Sequence, residues 1–243
     1  MLSTYEEMSE KMDLNLVEQL KVSLFENSID VAIDYAEIGL DDLLSNISDS
    51  EILQKMPIVK TIYSVCKVGL AIHEKHLLRK TLVFIKEFNS KQIKPKKLEK
   101  YKKKINERPH YAEEELGRVM ILLNKIVDDG KAVILAKLYR NFVAEEINWE
   151  QFCEFTDITE RIFLSDIKVL LHGYEHNGVD LGEFPNYHLD RLISIGLFEN
   201  HNKLGGTIFL SGGDSSSEQE VNKDVDITEI GVKYSKYGLE VGL

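Results

Sequence analysis

Apolar residues recur at helical intervals along most of this chain, and nowhere more densely than in the run Pro57-Ile58-Val59-Lys60-Thr61-Ile62-Tyr63-Ser64-Val65-Cys66-Lys67-Val68-Gly69-Leu70-Ala71-Ile72. Lys60, Ser64, Lys67 and Glu74 follow one another at three, four or seven residues, so on a helix they form one narrow polar stripe. The rest of that helix's circumference is apolar and must be covered by a helical core, a partner or lipid. Ile58, Ile62, Val65, Gly69 and Ile72 are expected inside, with Lys60 and Lys67 at the surface.

The same period continues on both sides. Leu14 to Leu24 predicts an opening helix, and Ile29 to Leu44, behind Ser28, a second. Cap-type residues at Ser48 to Glu51 precede a short helix, and Pro57 opens the apolar one. Asn89-Ser90 and Pro95 break the next, and a Lys-rich helix over 96–107 stops at Pro109. Leu116 to Ile126 gives another helical face, closed by Asp128-Asp129-Gly130, and Lys131 to Val143 another. Ile147 and Trp149 to Phe155 begin a further helix that Ile162 to Leu171 completes. No alternating strand pattern interrupts this series through residue 176.

At Asn177-Gly178 the pattern changes. Gly182 and Pro185 mark a linker, and His188 to Leu197 reads as a short helix ending at Gly196. Leu204 to Leu210 reads as a strand, 211–226 as a polar mobile loop, and Val225 to Ile230 as a returning strand before a last helix from Gly231. The expected fold is therefore mainly α: a multi-helix bundle over 1–176, followed by a small C-terminal winged-helix-like α+β module over 177–243.

Charge sharpens this picture in one place. The net charge is −11, but residues 85–108 hold ten basic residues against Glu87, Glu99 and Glu107. Lys96, Lys97, Lys100, Lys102, Lys103 and Lys104 stand at the centre of this segment, as a solvated face, a patch for anionic headgroups or an RNA patch, for which Tyr101 alone is thin aromatic interleaving. The stretch from Leu181 to the end carries ten acids against five bases, and its helix offers only Arg191. DNA affinity rests on Lys and Arg against phosphate, so DNA is not an expected partner.

Hydrophobic residues at 43% and charged residues at 29% describe a globular chain. Met1 to Asp13 is polar and lacks the apolar region of a signal peptide. Cys66 and Cys153 sit in apolar patterns and read as thiols in a reducing, cytoplasmic setting.

Candidate chemistry is thin. His172-Gly173-Tyr174-Glu175-His176 matches the H-x-x-E-H pattern of zinc proteases, with two imidazoles at i and i+4. Gly173 interrupts the helix, Asn177-Gly178 ends it, and little chain follows to supply a third ligand. His73 and His76 lie a turn apart without accompanying ligands. No nucleophile elbow, phosphate loop or dinucleotide fingerprint occurs. No catalytic residue, metal or cofactor is expected, and the chain is not read as an enzyme.

Met56-Pro57-Ile58-Val59, Gly69-Leu70, Lys80 and Phe84-Ile85 carry a resemblance, together with Gly130-Lys131-Ala132 and Leu135-Ala136-Lys137-Leu138. The tail adds Ile195-Gly196-Leu197 and Ile227-Thr228-Glu229-Ile230-Gly231. In these the chain resembles helical anti-phage and prophage proteins of Gram-positive bacteria, in the style of the Abi-alpha abortive-infection family. The resemblance implies an anti-phage or prophage-encoded role, and the apolar helix adds the expectation of a phage-defence effector, soluble at rest, that acts on the membrane through helix 57–72 once triggered. The alternative is a cytosolic, non-enzymatic adaptor or sensor. Expected partners are a protein or phage component, an anionic membrane on activation, and a second copy of the chain.

Overall fold

A computed structural model describes residues 15–26, 56–65, 72–180, 182–200 and 225–242. It divides into two compact units, Met1–Glu160 and Arg161–Leu243. The expected architecture holds: a multi-helix bundle with a small C-terminal α+β part, the first described strand being Gly178–Val179. The composition change at Asn177 falls inside the second unit, which begins at Arg161.

The first unit contains α1 (residues 15–25), α2 (Pro57–Val65), α3 (Ile72–Phe88), α4 (Pro95–Glu107), α5 (Pro109–Lys125), α6 (Asp129–Val143) and α7 (Trp149–Arg161, all but its last residue). Its principal seam runs between α3 and α6. Leu78, Leu82, Phe84, Ile85 and Phe88 bury one face of α3, while Ala132, Leu135, Ala136, Tyr139 and Phe142 bury the matching stripe of α6. Burial of this kind supplies most of a helix's stability, since propensity alone does not hold short helices in water. Tyr139 is the hub, with ring centroids 5.9 Å from Phe84, 5.7 Å from Phe88 and 5.8 Å from Phe152.

Helix ends follow from local chemistry. Pro95 and Pro109 stand in the first turns of α4 and α5, where a missing N–H costs nothing. Asn148 and Gln151 form a reciprocal capping box at the start of α7, with bonds of 2.8 and 3.0 Å. Cations close the other ends. Lys80 donates to the Ile126 carbonyl at the end of α5, and Lys97 to the Ala144 carbonyl after α6. Lys102 donates to the Phe25 carbonyl at the end of α1, and Arg140 to the Glu87 carbonyl in the last turn of α3. Each meets carbonyls that have no partner inside their own helix, at the negative end of its dipole. Burial, in turn, pushes the Lys80 amine below its ordinary pKa, against the pull of Asp129.

The second unit opens with a 3-10 turn (Leu164–Asp166) and α8 (Ile167–His176). It continues through β1 (Gly178–Val179), α9 (Asn186–Ser194), β2 (Phe198–Asn200), β3 (Val225–Ile227) and α10 (Glu229–Gly238). The strands form an antiparallel sheet in the order β1-β3-β2, with Gly178 opposite Asp226 and Phe198 opposite Ile227. The expected outline of helix, strand, long connection and strand is present. Its first strand is Phe198–Asn200, while the expected strand over 204–210 lies outside the described residues. Most of the expected loop 211–226 lies outside them too, but its last residues, Val225 and Asp226, belong to β3. The expected linker start at Asn177-Gly178 is instead a helix cap and a strand: Asn177 takes a left-handed φ of 61° and Gly178 enters the sheet.

Two glycines set the packing distance here. A Cβ on Gly173 would lie 2.4 Å from the Phe198 ring, so α8 can approach the sheet only without one. On Gly231 it would lie 2.3 Å from the Leu197 carbonyl oxygen. Thr228 caps α10 by accepting from the Gly231 N–H at 3.0 Å.

One expected helix proves to be two elements. The pattern from Trp149 to Leu171 reads as a single helix, but Phe163 is extended, with φ −88° and ψ 136°, and the 3-10 turn follows it. This break presents Phe163 and Leu164 to solvent and turns Asp166 inward.

Candidate protein-interaction site

The residues expected to carry function are mostly tied into the first unit. Ile58 and Ile62 are buried as expected, and the Ile58 N–H donates to Ser23 Oγ at 3.2 Å. Lys60 and Ser64 are exposed. Ile72 corrects the expectation: it is 79% exposed. It begins α3 six residues before Leu78, out of phase with that helix's buried stripe. Gly69 lies outside the described residues, as do Cys66 and Lys67, and the Val65 side chain is not among those described. Among the described residues no helix is long and apolar enough to cross a membrane.

The basic helix is α4, and three of its six lysines face acids of neighbouring elements. Lys97 pairs with Glu146 at 2.9 Å, and Lys100 with Glu145 at 2.5 Å. Lys104 pairs with the buried Glu115, which also accepts from Tyr101 Oη at 2.7 Å. Tyr101 Oη lies 2.6 Å from Tyr139 Oη, closing a network of two buried phenols, a buried carboxylate and the part-exposed Lys104 ammonium. Lys103 reaches Glu107 on its own helix at 3.7 Å, and Lys96 is exposed.

The histidines of the H-x-x-E-H segment stack on each other, ring centroids 4.2 Å apart. His172 Nε2 lies 2.9 Å from Glu183 Oε2, and His176 Nδ1 lies 2.9 Å from the His172 carbonyl oxygen. Among the described residues no group of three or more His, Cys, Asp or Glu is arranged to hold a metal ion.

A different cluster draws attention, built where the expected helix breaks. Asp166 is 1% exposed and stands at the start of α8 without capping it, so its carboxylate is available to α9. His188 Nδ1 meets Oδ1 at 2.6 Å, Arg191 Nε donates to Oδ2 at 2.8 Å, and Arg191 Nη2 donates to Oδ1. Arg191 thereby grips the carboxylate with two prongs. With Asp166 ionised, Nδ1 of His188 carries the proton, and its 3.1 Å approach to Nη2 is a contact between two donors. Burial pushes the Asp166 carboxyl up, but the hydrogen bonds and charges of Arg191 and His188 outweigh it and hold the pKa below the usual range.

The outer side of the cluster is apolar and open. The Arg191 guanidinium carbon lies 4.5 Å from the Phe163 ring centroid and 5.0 Å from that of Tyr187. Phe163 and Tyr187 are each 55% exposed, and Leu164 is 37% exposed. The Arg191 side chain is one-third exposed, and its Nη1 makes no hydrogen bond among the described residues.

Sequence reasoning isolated Arg191 as the lone cation of its helix and missed its partners. Asp166 lies 25 residues upstream. The available signal was the i, i+3 pair His188 and Arg191 on one helix face, opposite an acid embedded in apolar sequence. No protein-family model, curated protein or solved structure matches the chain, so the geometry of this cluster is the ground on which its function is argued.

Proposed function

We propose that the protein acts by binding another protein, as a non-enzymatic helical adaptor or sensor, and that the surface around Arg191 makes the contact. One observation carries this reading: Phe163, Leu164 and Tyr187 stay exposed around an arginine that a buried carboxylate holds in place. Aromatic residues and Arg are the side chains that most often dominate binding at interfaces. A guanidinium already fixed by Asp166 and two rings loses little rotamer freedom on binding.

The membrane-acting alternative finds less support. The described part of the expected helix 57–72, Pro57–Val65, keeps Ile58, Val59 and Ile62 buried within the first unit. Of the six lysines of α4 that would meet headgroups, Lys97, Lys100 and Lys104 pair with Glu146, Glu145 and Glu115, and Lys102 meets the Phe25 carbonyl. The anti-phage setting implied by the resemblance is compatible with an adaptor, and we carry it as the proposed biological role.

The test is site-specific photocrosslinking in producing cells, with the reactive group at position 187 and a control at exposed Ile121. The reading expects a defined crosslinked partner at 187 that is absent at 121 and lost when Phe163→Ala is added. Identical patterns at both positions, or a partner that survives Phe163→Ala, would overturn it. Plaque formation on cells carrying wild type or the Phe163→Ala/Tyr187→Ala variant examines the anti-phage role; equal protection by both would detach that role from this surface.

A further inference from the structure

Resting on the reading of this surface as a protein contact, we propose that its ligand is an acidic side chain, Asp or Glu, flanked by apolar residues in a segment of a protein partner. The chemistry of Arg191 sets the requirement. Nε and Nη2 are committed to Asp166, while both hydrogens on Nη1 have no acceptor among the described residues. A purely apolar partner seated on Phe163, Leu164 and Tyr187 would strip water from these donors and replace it with nothing. The partner must therefore bring an acceptor to the rim, and a carboxylate gives the stronger, charge-assisted bond to a guanidinium edge.

The rim has room for at most one acid. Asp166 balances the Arg191 charge in the cluster, and Asp190 stands exposed beside it on α9. A phosphate chain gains affinity by meeting many cations along its length, and this rim presents a single guanidinium amid aromatic and aliphatic surface. The exposed rings of Phe163 and Tyr187 beside the guanidinium, with exposed Leu164 next to Phe163, offer apolar ground for the residues that flank the acid.

The experiment selects displayed random peptides on the full chain and measures the best binders as labelled synthetic peptides. The inference expects enriched sequences that pair Asp or Glu with aromatic or aliphatic neighbours and lose affinity for Phe163→Ala, which leaves the Arg191–Asp166 pair in place. Changing the peptide's acid to its amide should weaken binding about tenfold: the amide oxygen still accepts from Nη1, but the charge assistance of the carboxylate is lost. Arg191→Lys, which can still reach Asp166 but lacks Nη1, should bind acid and amide forms alike. Peptides that depend on Phe163 yet carry no acid would overturn the inference while leaving the protein-contact reading standing. No enrichment, or peptides indifferent to Phe163→Ala, would overturn both. Displacement of the best peptide by a short random DNA duplex would assign the rim to nucleic acid and overturn the inference.

Discussion

Each unit of this protein buries a carboxylate among cations and hydrogen-bond donors, and the two networks are finished differently. In the helical unit, Glu115 accepts from Tyr101 and pairs with Lys104, while Tyr101 in turn meets Tyr139. Both phenols and the carboxylate are buried, packed against Phe84, Phe88, Phe142 and Phe152. In the C-terminal unit, Asp166 is buried as deeply, but Arg191 carries its network outward to a rim of exposed rings. Each network reaches solvent through its cation, Lys104 at 36% and Arg191 at 33% exposed. The first keeps its other members sealed in an aromatic core, where a satisfied network specifies packing. A network rooted in the interior and open at the surface holds a side chain ready for something else.

The largest effect should come from opening the sealed network. Tyr139→Ala removes a fully buried ring at the crossing of α3, α4, α6 and α7, and should destabilise the helical unit by about 3–5 kcal/mol. Trp149, the single tryptophan, stacks on Phe152 5.2 Å away within this unit and reports its unfolding. A urea midpoint by Trp149 fluorescence equal to that of wild type would show that the Tyr139 ring is not the keystone of that core.

Asp166→Ala should come next. It leaves His188 buried without its acceptor and the Arg191 fork without its carboxylate, a loss of about 2–3 kcal/mol given that Arg191 is partly solvated. Faster amide hydrogen exchange in α8 and α9 is the expected readout. Wild-type protection there would mean that the cluster contributes no rigidity and that Arg191 is not held for binding.

The helical period was legible in the sequence because burial on one face forces it. The seam of α3 against α6 contains Lys80, Phe84, Ile85, Ala132 and Leu135, residues that also carried the family resemblance. Packing accounts for these positions, and Gly196 and Gly231 in the tail likewise serve a turn at φ 81° and a close approach to Leu197. The candidate site was not legible. A run of lysines announces a charge without naming its partner, and Glu115, Glu145 and Glu146 lie on other elements. The break at Phe163 hid inside an apolar pattern that continues across it, since Ile162 and Val169 are both buried. A one-turn interruption leaves the period nearly in phase.

The two networks should also fail at opposite ends of the pH scale. The Asp166 carboxyl is held low, so its contribution is complete above its unfolded value of about 3.9 and drains away as pH falls from there through the lower folded value. Asp166→Asn should remove that share of the acid dependence of α8 and α9 protection. Burial pushes the phenols of Tyr101 and Tyr139 well above their usual value, with Glu115 adding to the rise. Their contribution is complete below about pH 10 and is lost as pH climbs past it toward the raised folded values. Tyrosinate absorbance should therefore show these two of the ten tyrosines ionising only as Trp149 fluorescence reports unfolding. Ionisation of all ten before that transition would contradict the sealed state of the network.

The smallest effects belong to the outer face of α4, where they separate a packing role for its lysines from a surface role. Changing Lys96, Lys97, Lys100, Lys102, Lys103 and Lys104 together to Glu would set new acids beside Glu115, Glu145 and Glu146 and beside the Phe25 carbonyl. Loss of function in that variant would follow from misfolding as readily as from a lost surface. Lys96 and Lys103 are the clean pair: both are exposed, and among the described residues the one ion pair they make is the 3.7 Å contact of Lys103 with Glu107 on the same helix. Such a contact is worth well under a kcal/mol. Lys96→Glu/Lys103→Glu should thus move the Trp149 midpoint by no more than about 0.5 kcal/mol. Lys97→Glu, which removes a cation from the end of α6 and places an acid against Glu146, should cost about 1 kcal/mol. If the Lys96 and Lys103 double variant keeps its stability yet loses sedimentation with vesicles rich in anionic lipid, the face of α4 is a membrane contact and the adaptor account must make room for it. If wild type does not sediment with those vesicles, Lys97, Lys100, Lys102 and Lys104 are accounted for by the acids and helix ends they meet, and Lys96 and Lys103 by solvent.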